Sequence, residues 1–533
     1  MERMGCPATV AAAVARAAFI APDVEAIVAP DGRLTFAALA DEVAVLRASL
    51  VAAGVRRGEH VGLCLGNGVR WVALFLALGS MGAVTVPVNT RFWADELGYC
   101  LRQSRVRRLF TADRVLRVDV VAMLRAICPG IGTHLPHAAL PSLEQVVVLG
   151  DDVPAGCVPF AAFRQPHAPP TLPACAPDDV LLIQYTSGTT SFPKGVLLTH
   201  ANMLCNAFVS GGRIGFRIGD RYHSARPFFH VAGSTLSVLS ALLHMATLVT
   251  MDRFEPGEAL QLMETECCTH FSGNDTMVLM LLSHPSLAER HLMLRGAWAA
   301  ASPAVMRRIA DELGARECVA GYGLSEASPN VAQSCWWEPE EVRLGSRMKP
   351  QPGLELRIRA ADGTDQPPGE PGQIMVRGWS VMRGYFDKPG ETAAVLGSDG
   401  WLATGDLGAL DTDGRLRFLG RLKDIVRVGG ENVSPAEVED VLHTHPAVRQ
   451  AAVVGVPDPR LMEVPAAFVI ANGGMACKPD AVMAWCRERM AGFKVPRHVW
   501  VVDSFEAIGM TASAKVQKKL LAAHARRLLG LPA

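Results

Sequence analysis

The sequence predicts an α/β protein with a large body and a smaller module at its C-terminal end. In the first part of the chain, strand-like and helix-like runs alternate, as in GEHVGLCLGNG, RWVALFLALGSM and GAVTVPVN. Around residues 353–418 the pattern changes to short strands with Gly and Pro turns, and a small α/β unit follows. With 533 residues and 50% hydrophobic content, the chain can bury more than one core.

The N-terminal segment predicts a capped helix rather than a signal peptide. The helix should begin near Thr9, and Arg16 interrupts the apolar stretch that a signal peptide would need. The chain contains 13 cysteines without a C-x-x-C pair, a pattern typical of reduced thiols in a cytosolic protein. We therefore expect a cytoplasmic location.

The charge balance and one long apolar run bear on the possible partners. Lys and Arg total 52, as do Asp and Glu, so no global field attracts nucleic acid, and we expect no such partner. Residues 227–251 contain no Asp, Glu, Lys or Arg, yet His230, Gly233 and His244 interrupt the run. This run predicts a buried helix and no integral membrane segment.

The stretch QYTSGTTSFPKGVLLTH predicts a phosphate-binding loop between two strands. Apolar runs at 180–185 and 196–199 flank a segment of small hydroxyl residues and glycine that ends near Lys194. Successive backbone N–H groups and hydroxyls can surround an anion, and a lysine can neutralise it. No Ser or Thr follows Lys194 and no helix pattern begins there, so the loop differs from a P-loop.

A helix should also begin in the C-terminal part of the chain. Ser434 has the residue type of an N-cap, Pro435 would take the first helical position, and Glu437 lies three residues after the cap.

Five motifs occur in order along the chain. They are TSGTTSFPKG at 186–195, PFFHVAGS at 227–234, AGYGLSE at 320–326, WLATGD at 401–406 and GRLKDIVRVGGENVSPAEVE at 420–439. In this order they resemble the adenylate-forming superfamily, which includes acyl-CoA synthetases, beetle luciferases and the adenylation domains of peptide synthetases. The resemblance implies an α/β fold with a large multi-subdomain N-terminal body of sheets and helices, residues 1–422, and a small mobile C-terminal α+β domain, residues 423–533.

The same resemblance implies an acyl-CoA ligase that works in two steps. A carboxylic acid would attack the α-phosphate of ATP to form an acyl-adenylate, and the thiol of coenzyme A would then displace AMP. ATP, or a preformed acyl-AMP, together with Mg²⁺ and coenzyme A are the expected cofactors, and a carboxylic acid is the expected substrate. The oligomeric state stays open.

The resemblance also assigns roles to individual residues. The phosphate loop would use Thr186, Ser187, Gly188, Thr189, Thr190 and Lys194. The nucleoside would contact Tyr322, Gly323, Ser325, Asp406 and Arg421, with Tyr322 against adenine and Asp406 accepting from the ribose hydroxyls. Glu326 would be both a catalytic residue and the Mg²⁺ ligand, because a carboxylate is a hard oxygen ligand.

Two further catalytic roles fall in the C-terminal part. Lys515 would reach the substrate carboxylate and the α-phosphate during adenylation, and Lys423 would be the hinge. In the second step Gly429 and Gly430 would approach the pantetheine arm of coenzyme A, because glycines allow close backbone approach.

The acyl pocket is expected around the second motif and the segment RGAWAAASPAVMRRI. Its predicted residues are His230, Val231, Gly233, Trp298, Ala299 and Ala300. We expect His230 to act as a gate rather than as a general base. A pocket of this kind could hold a fatty, an aryl or a polycyclic acid.

Several residues depart from the family pattern. Ser191 and Ala514 stand where the family usually has glycine, and Gly509 stands where it usually has proline. Trp298 stands where the family normally has Gly or Ala. These changes fall on residues of the adenylation step. One alternative is therefore a half-enzyme that only transfers a preformed acyl-adenylate to coenzyme A. A non-catalytic nucleotide-binding scaffold is another. A peptide-synthetase adenylation domain is a third, although no carrier domain follows Ala533 and free coenzyme A is therefore the expected acceptor.

Overall fold

The computed structural model describes residues 5–168, 170–186, 193–510 and 516–531. The largest sheet has nine strands. In spatial order they are Lys349–Pro350, Asn330–Gln333, Val319–Gly323, Gly296–Ala300, His270–Asn274, Arg221–Ser224, Thr247–Val249, Glu25–Ala29 and Gly32–Thr35. The strands from Val319–Gly323 to Glu25–Ala29 run parallel, and antiparallel strands flank them at both edges. The sheet therefore aligns the carboxyl ends of its central strands at one edge.

A second sheet of seven strands shares a hydrophobic core with the first. Its strands, in spatial order, are Lys194–Thr199, Val180–Thr186, Val84–Pro87, His60–Cys64, Arg108–Ala112, Gln145–Leu149 and Val158–Pro159. They run parallel except for the antiparallel hairpin of the first two. This hairpin is the strand–loop–strand unit that the sequence predicts.

Two smaller antiparallel sheets and a short hairpin complete the strand content of the described residues. The first consists of Leu354–Arg359, Gly372–Gly378, Leu402–Leu410 and Leu416–Arg421. The second consists of Glu431–Val433, Val426–Val428, Met462–Ala471 and Val448–Asp458, with His498–Val501 parallel to Met462–Ala471. The hairpin pairs Arg114–Val115 with Val118–Asp119.

Helices cover the faces of these sheets. The α-helices are Val10–Ile20, Phe36–Ala52, Val69–Ser80, Ala94–Gln103, Val120–Ile127, Phe160–Phe163, His200–Ile214, Val231–Gly233, Ser240–His244, Pro256–Thr265, Asp275–Leu282, Pro303–Glu312, Glu340–Leu344, Pro389–Ala393, Pro435–His443, Pro479–Arg487 and Lys518–Leu528. Ser234–Leu239 is a π-helix, and Pro285–Glu289, Ser325–Ala327, Leu422–Asp424 and Gly492–Lys494 are 3₁₀-helices. The predicted α/β fold with a large body and a smaller C-terminal part is confirmed.

The N-terminal helix begins where the sequence predicts. Thr9 is its N-cap, and the Thr9 hydroxyl accepts a hydrogen bond of 3.3 Å from the backbone N–H of Ala12. Val10, Ala13 and Ala17 are buried on one side of this helix. The segment is therefore part of the core of the body.

The apolar run at 227–251 contains a buried helix, as predicted, but this helix is built from three pieces between residues 231 and 244, and Thr247–Val249 is a strand. A π-helix, Ser234–Leu239, lies between two short α-helices, and every residue of this π-helix is buried. Within the described ranges, no helix has the length and apolar character needed to cross a bilayer. π-Helical segments often occur at functional sites, and this one lies next to the predicted acyl pocket.

The helix Pro435–His443 also starts at the predicted residue, but its predicted cap forms a different bond. The Ser434 hydroxyl makes no hydrogen bond to the first turn and instead donates to the carbonyl of Leu419. Glu437 pairs with Lys494. The start is thus confirmed and the hydroxyl cap is wrong, because a distant acceptor competes for the serine.

A chain of polar groups joins the body to this C-terminal helix. Asp275 accepts a 3.0 Å hydrogen bond from the backbone N–H of Ser302, and Asp440 lies beside the Ser302 hydroxyl, with its Oδ1 buried and without a hydrogen bond among the described residues. Burial raises the pKa of Asp275 to about 7 and that of Asp440 to about 6. The negative charges of Glu437 and Glu439 contribute to the shift of Asp440. The contact therefore favours protonated carboxyl groups.

We expect this contact to weaken as the pH rises. Both pKa values lie above the ordinary aspartate value, so the stabilisation is complete below about pH 4 and is lost as the pH rises through 6 to 7. Small-angle scattering from pH 5 to 8 should show a shift away from this arrangement. Asp440→Asn should flatten that dependence, whereas Asp480→Asn, in the first turn of the neighbouring helix Pro479–Arg487, should not. Identical pH profiles for wild type and Asp440→Asn would contradict the assignment.

Candidate active site

Three of the predicted nucleoside-binding residues form one cluster. Tyr322 donates a 2.8 Å hydrogen bond to Oδ2 of Asp406, and Nε of Arg421 lies 3.7 Å from Oδ1 of the same carboxylate. Asp406 and Arg421 are paired across neighbouring strands, which fixes their proximity. The Tyr322 ring is stacked on Phe418, with ring centroids 5.2 Å apart. The structure thus brings Tyr322, Asp406 and Arg421 together.

The protonation state of this cluster follows from its burial. Tyr322 is 6% exposed, and burial together with the charge of Asp406 raises the Tyr322 pKa well above its ordinary value. The phenol therefore keeps its proton and remains a donor to Asp406. An acceptor-only carboxylate held in this way suits hydroxyl donors such as those of a ribose.

Gly323 follows this tyrosine for a steric reason. A β-carbon at this position would lie 2.0 Å from the carbonyl oxygen of Pro329, so only glycine fits. Ser325 and Glu326 come next, in a 3₁₀-helix, and both are half-buried. The YGLSE motif is thus a compact turn that projects Glu326 from the end of the strand Val319–Gly323.

A second cluster links Glu326 to the predicted phosphate loop. The Tyr385 hydroxyl donates a 2.9 Å hydrogen bond to Oε1 of Glu326. The ammonium group of Lys194 lies 4.9 Å from the centroid of the Tyr385 ring and 2.7 Å from Oε2 of Glu391. Thr186 is paired with Lys194 at the end of the hairpin, so this pair closes the loop. Ser187, Gly188, Thr189, Thr190 and Ser191 lie outside the described residues.

Sequence reasoning missed Tyr385 and Glu391. Both lie in the stretch GYFDKPGE, which reads as an ordinary turn, and no spacing pattern links it to Glu326. The structure brings the segment close through backbone bonds, since the N–H of Phe386 donates to the carbonyl of Gly195 at 2.8 Å. Burial and the Glu326 carboxylate raise the pKa of Tyr385, so it remains a donor.

Glu326 fits the donor set that Mg²⁺ prefers. One of its carboxylate oxygens is oriented by Tyr385, and the side chain is half-buried at the end of a strand. Mg²⁺ commonly binds one or two protein carboxylates and completes its shell with water and phosphate oxygens. A single oriented carboxylate beside the predicted phosphate loop is compatible with this kind of coordination.

The residues predicted to form the acyl pocket lie on two segments, 230–233 and 298–300. Trp298 is 5% exposed on the strand Gly296–Ala300, where Ala299 is buried and Ala300 is exposed. A β-carbon on Gly321 would lie 2.6 Å from the Trp298 ring, so the indole covers the glycine just before Tyr322. In the other segment Val231 is buried.

The predicted gate, His230, is exposed and caps the first piece of the helix. Its Nδ1 accepts a 3.2 Å hydrogen bond from the backbone N–H of Ala232. A β-carbon on Gly233 would lie 2.1 Å from the carbonyl oxygen of Pro227, which explains the glycine. The structure thus gives His230 a capping role, and gating stays a prediction.

The predicted hinge lies between the two smaller sheets. Lys423 is in the 3₁₀-helix Leu422–Asp424, and burial followed by the charge of Arg421 lowers its pKa. Gly429 and Gly430 have φ values of 59° and 97°, so their turn needs the left-handed conformation that glycine adopts easily. This turn packs against Leu461 of its own sheet.

Of the C-terminal residues that depart from the family pattern, Gly509 lies within the described residues. Gly509 has a φ of 153°, and a β-carbon there would lie 2.5 Å from Leu520. Proline cannot take this φ value, so the local backbone accounts for the change. Ala514 and Lys515 lie outside the described residues.

The two clusters and the layered α/β body define an adenylate-forming enzyme, and comparisons with known proteins agree. The family model of the AMP-binding enzyme matches residues 14–386, and that of the AMP-binding enzyme C-terminal domain matches residues 437–515. The chain belongs to this family. The predicted superfamily and the predicted enzyme class, an AMP-forming acid–thiol ligase, are confirmed.

Individual relatives are similar over almost their whole length. The chain is 37% identical over 530 residues to the 3-[(3aS,4S,7aS)-7a-methyl-1,5-dioxo-octahydro-1H-inden-4-yl]propanoyl:CoA ligase of Mycobacterium tuberculosis, covering 96% of this chain and 98% of the relative. It is 33% identical over 516 residues to the putative acyl-CoA synthetase YngI of Bacillus subtilis, covering 93% of each. Among solved structures, the anthranilate CoA ligase AuaEII in complex with anthranoyl-AMP has a TM-score of 0.88 and 27% identity, over 98% of both chains. These findings favour the complete ligase over the half-enzyme and the scaffold.

Proposed function

We propose that this chain ligates a carboxylic acid to coenzyme A in two steps at one site. First, a carboxylate oxygen attacks the α-phosphorus of ATP, and pyrophosphate leaves. Then the sulfur of coenzyme A attacks the acyl carbon, and AMP leaves. The observation that carries the proposal is the turn between Tyr322 and Glu326, because it places one residue in the cluster with Asp406 and the other in the cluster with Lys194.

The first cluster would bind the nucleoside. Tyr322 holds one oxygen of Asp406, and the second oxygen faces Arg421. Ribose hydroxyls would donate to this buried carboxylate, and Arg421 would donate to the nucleotide from the other side. The ring of Tyr322, fixed by Phe418, would supply a flat apolar face for adenine.

The second cluster would bind the phosphates. Lys194 is held by Glu391 and by the face of Tyr385, both of which keep its charge beside Glu326. A bound triphosphate would attract Lys194 away from Glu391, because phosphate oxygens carry more charge than one carboxylate. The ion pair would thus hold the lysine in place until ATP binds.

Glu326 would hold Mg²⁺ beside these phosphates, with Tyr385 fixing its orientation. Bound there, the ion would neutralise charge on the pyrophosphate leaving group. Lys515 would stabilise the crowded α-phosphorus during the first step.

Domain rotation would separate the two steps. We propose the boundary between residues 422 and 423, since the hydrophobic clusters on either side share no residues among those described. Lys423 would absorb the rotation, which would bring Gly429 and Gly430 to coenzyme A. The 13 free cysteines support a cytoplasmic location.

The relatives do not identify the acid. Their names include a medium-chain acyl-CoA ligase and a feruloyl-CoA synthase besides the ring-bearing propanoyl ligase, so this fold accepts chemically different acids. His230, Val231, Gly233, Trp298, Ala299 and Ala300 are the residues that we propose to shape the pocket of this chain.

The proposal is tested by incubating the protein with ATP, Mg²⁺, coenzyme A and a panel of fatty, aryl and polycyclic acids. Pyrophosphate and acyl-CoA should be released in equal amounts with a preferred acid. Acyl-CoA formed only from synthetic acyl-adenylate would instead establish the half-enzyme, and nucleotide binding without either product would establish the scaffold.

A further inference from the structure

Arg226 is a buried cation that the nucleotide chemistry does not use. It lies just beyond the strand Arg221–Ser224 and is 8% exposed. Nη2 donates a 3.0 Å hydrogen bond to the carbonyl of Gly273, and the guanidinium carbon lies 4.1 Å from the centroid of the Trp298 ring. Within the described ranges, no carboxylate lies at ion-pair distance from this arginine. A guanidinium has five N–H donors, and the hydrogen bond to Gly273 uses one of them.

The burial of this charge changes the pKa of Arg226. Removal from water lowers the pKa of Arg226 to about 10, and the nearby Tyr222 offsets only part of this effect. Buried charges in proteins are normally paired, because an unpaired one loses hydration without compensation. Among the described residues, Arg226 thus meets a backbone carbonyl and an aromatic ring but no negative charge.

Further buried polar atoms lie on the face of the sheet that carries Trp298. Ser224, Ser272 and Trp298 are adjacent in register on three parallel strands, so their side chains share one face of the sheet. Trp298 Nε1 is buried without a hydrogen bond among the described residues, whereas the Tyr222 hydroxyl lies beside the hydroxyls of Ser224, Ser237 and Ser272. Most buried polar atoms in native proteins have partners, so an unpaired indole N–H in contact with a buried cation favours a ligand with acceptor oxygens.

The π-helix packs against the same face of the sheet. Ser237 is hydrogen-bonded to Ser224 at 2.7 Å, which seats the helix against the same face of the sheet. Thr235, on the same π-helix, also has a buried hydroxyl without a partner. These buried hydroxyls thus come from the sheet and from the π-helix that follows the PFFHVAGS motif.

Trp298 lies between Arg226 and the predicted nucleoside site. The indole ring contacts Arg226 and covers Gly321, the residue before Tyr322. A substrate activated beside Tyr322 and Glu326 would therefore pass Trp298 before its far end reached Arg226. The apolar ring would contact the middle of the substrate, and the cation would contact its end.

We propose that Arg226 binds an acceptor oxygen group at the end of the acid that is remote from the activated carboxyl, so that the substrate is a dicarboxylic or a keto acid. The proposal rests on the ligase activity proposed above. Because Arg226 carries a positive charge, a second carboxylate should bind better than a ketone. A site of this kind rejects the analogue that lacks the oxygen group, since its own donors would then stay unpaired.

The test compares matched acids, such as suberic, 7-oxooctanoic and octanoic acid, and terephthalic, 4-acetylbenzoic and 4-ethylbenzoic acid. In the best-fitting series we expect the diacid to exceed the alkyl acid by about 100-fold in kcat/KM, with the keto acid between them. Arg226→Met should abolish this order and Arg226→Lys should keep part of it, whereas Arg56→Met, at an exposed position, should leave it unchanged. A wild type that prefers the alkyl acids, or an Arg226→Met variant that keeps the order, would overturn the proposal.

A binding measurement separates this proposal from the ligase activity. The diacid should raise the thermal midpoint of wild type more than the alkyl acid does, and it should not do so for Arg226→Met. This shift without turnover of any acid would reject the ligase and keep the pocket. Turnover of acids without any preference and without the shift would reject the pocket and keep the ligase.

Discussion

Replacing Lys515 with alanine is expected to lower ATP-dependent adenylation by about 100-fold or more, while transfer from a synthetic acyl-adenylate to coenzyme A continues at a similar rate. The reason is that a compact positive charge stabilises the charge that develops at the α-phosphorus, whereas the second step breaks no phosphorus–oxygen bond. Pyrophosphate release measures the first step, and acyl-CoA formed from the adenylate measures the second.

Lys518 offers a matched control for this experiment. It belongs to the same basic run, and its ammonium group is paired with Glu439 at 2.8 Å. Lys518→Ala removes an equal charge three residues away and should leave both half-reactions nearly unchanged. Equal losses for the two variants, or full adenylation by Lys515→Ala, would remove Lys515 from the mechanism.

The second large effect is expected at Asp406. Asp406→Asn keeps an acceptor for Tyr322 but replaces the charged oxygen that faces Arg421, so kcat/KM for ATP should fall by about 100-fold. Most of the loss should appear as a higher KM for ATP, with a smaller change for the acid. Steady-state kinetics at saturating acid and coenzyme A provide the measurement.

Asp411 is the control for the loss of charge on this sheet. It directly follows the same strand, where it pairs with Arg347 at 2.6 Å, and it carries no proposed role in nucleotide binding. Asp411→Asn should therefore leave the KM for ATP unchanged. If Asp406→Asn behaves in the same way, the ribose assignment is wrong.

Local sequence patterns predicted those features that depend on neighbours along the chain. The hairpin around Lys194 and the helix starts at Thr9 and Pro435 follow from short-range residue preferences, and the structure confirms them. The cluster of Tyr322, Asp406 and Arg421 was reached through motif resemblance, because the residues come from separate strands.

Features that depend on distant contacts could not be predicted in the same way. Tyr385 contacts Glu326 across 59 positions, and the Ser434 hydroxyl is drawn from its own helix to an acceptor 15 positions away. Arg226 looks like an ordinary residue before a proline, and only the fold shows that no carboxylate among the described residues accompanies it. Tertiary packing decides such partners, and no single-sequence pattern records them.

The contact between Asp275, Ser302 and Asp440 would couple the proposed conformational cycle to solvent protons. If the C-terminal domain rotates as proposed, the departure of Asp440 from this contact returns its carboxyl to water and releases a proton near neutral pH. Acidification would then lengthen the time spent in this arrangement without altering any group that touches the substrates. The balance between the two half-reactions would respond to the acidity of the surrounding medium, so the pH optimum of turnover would report domain motion as well as chemistry.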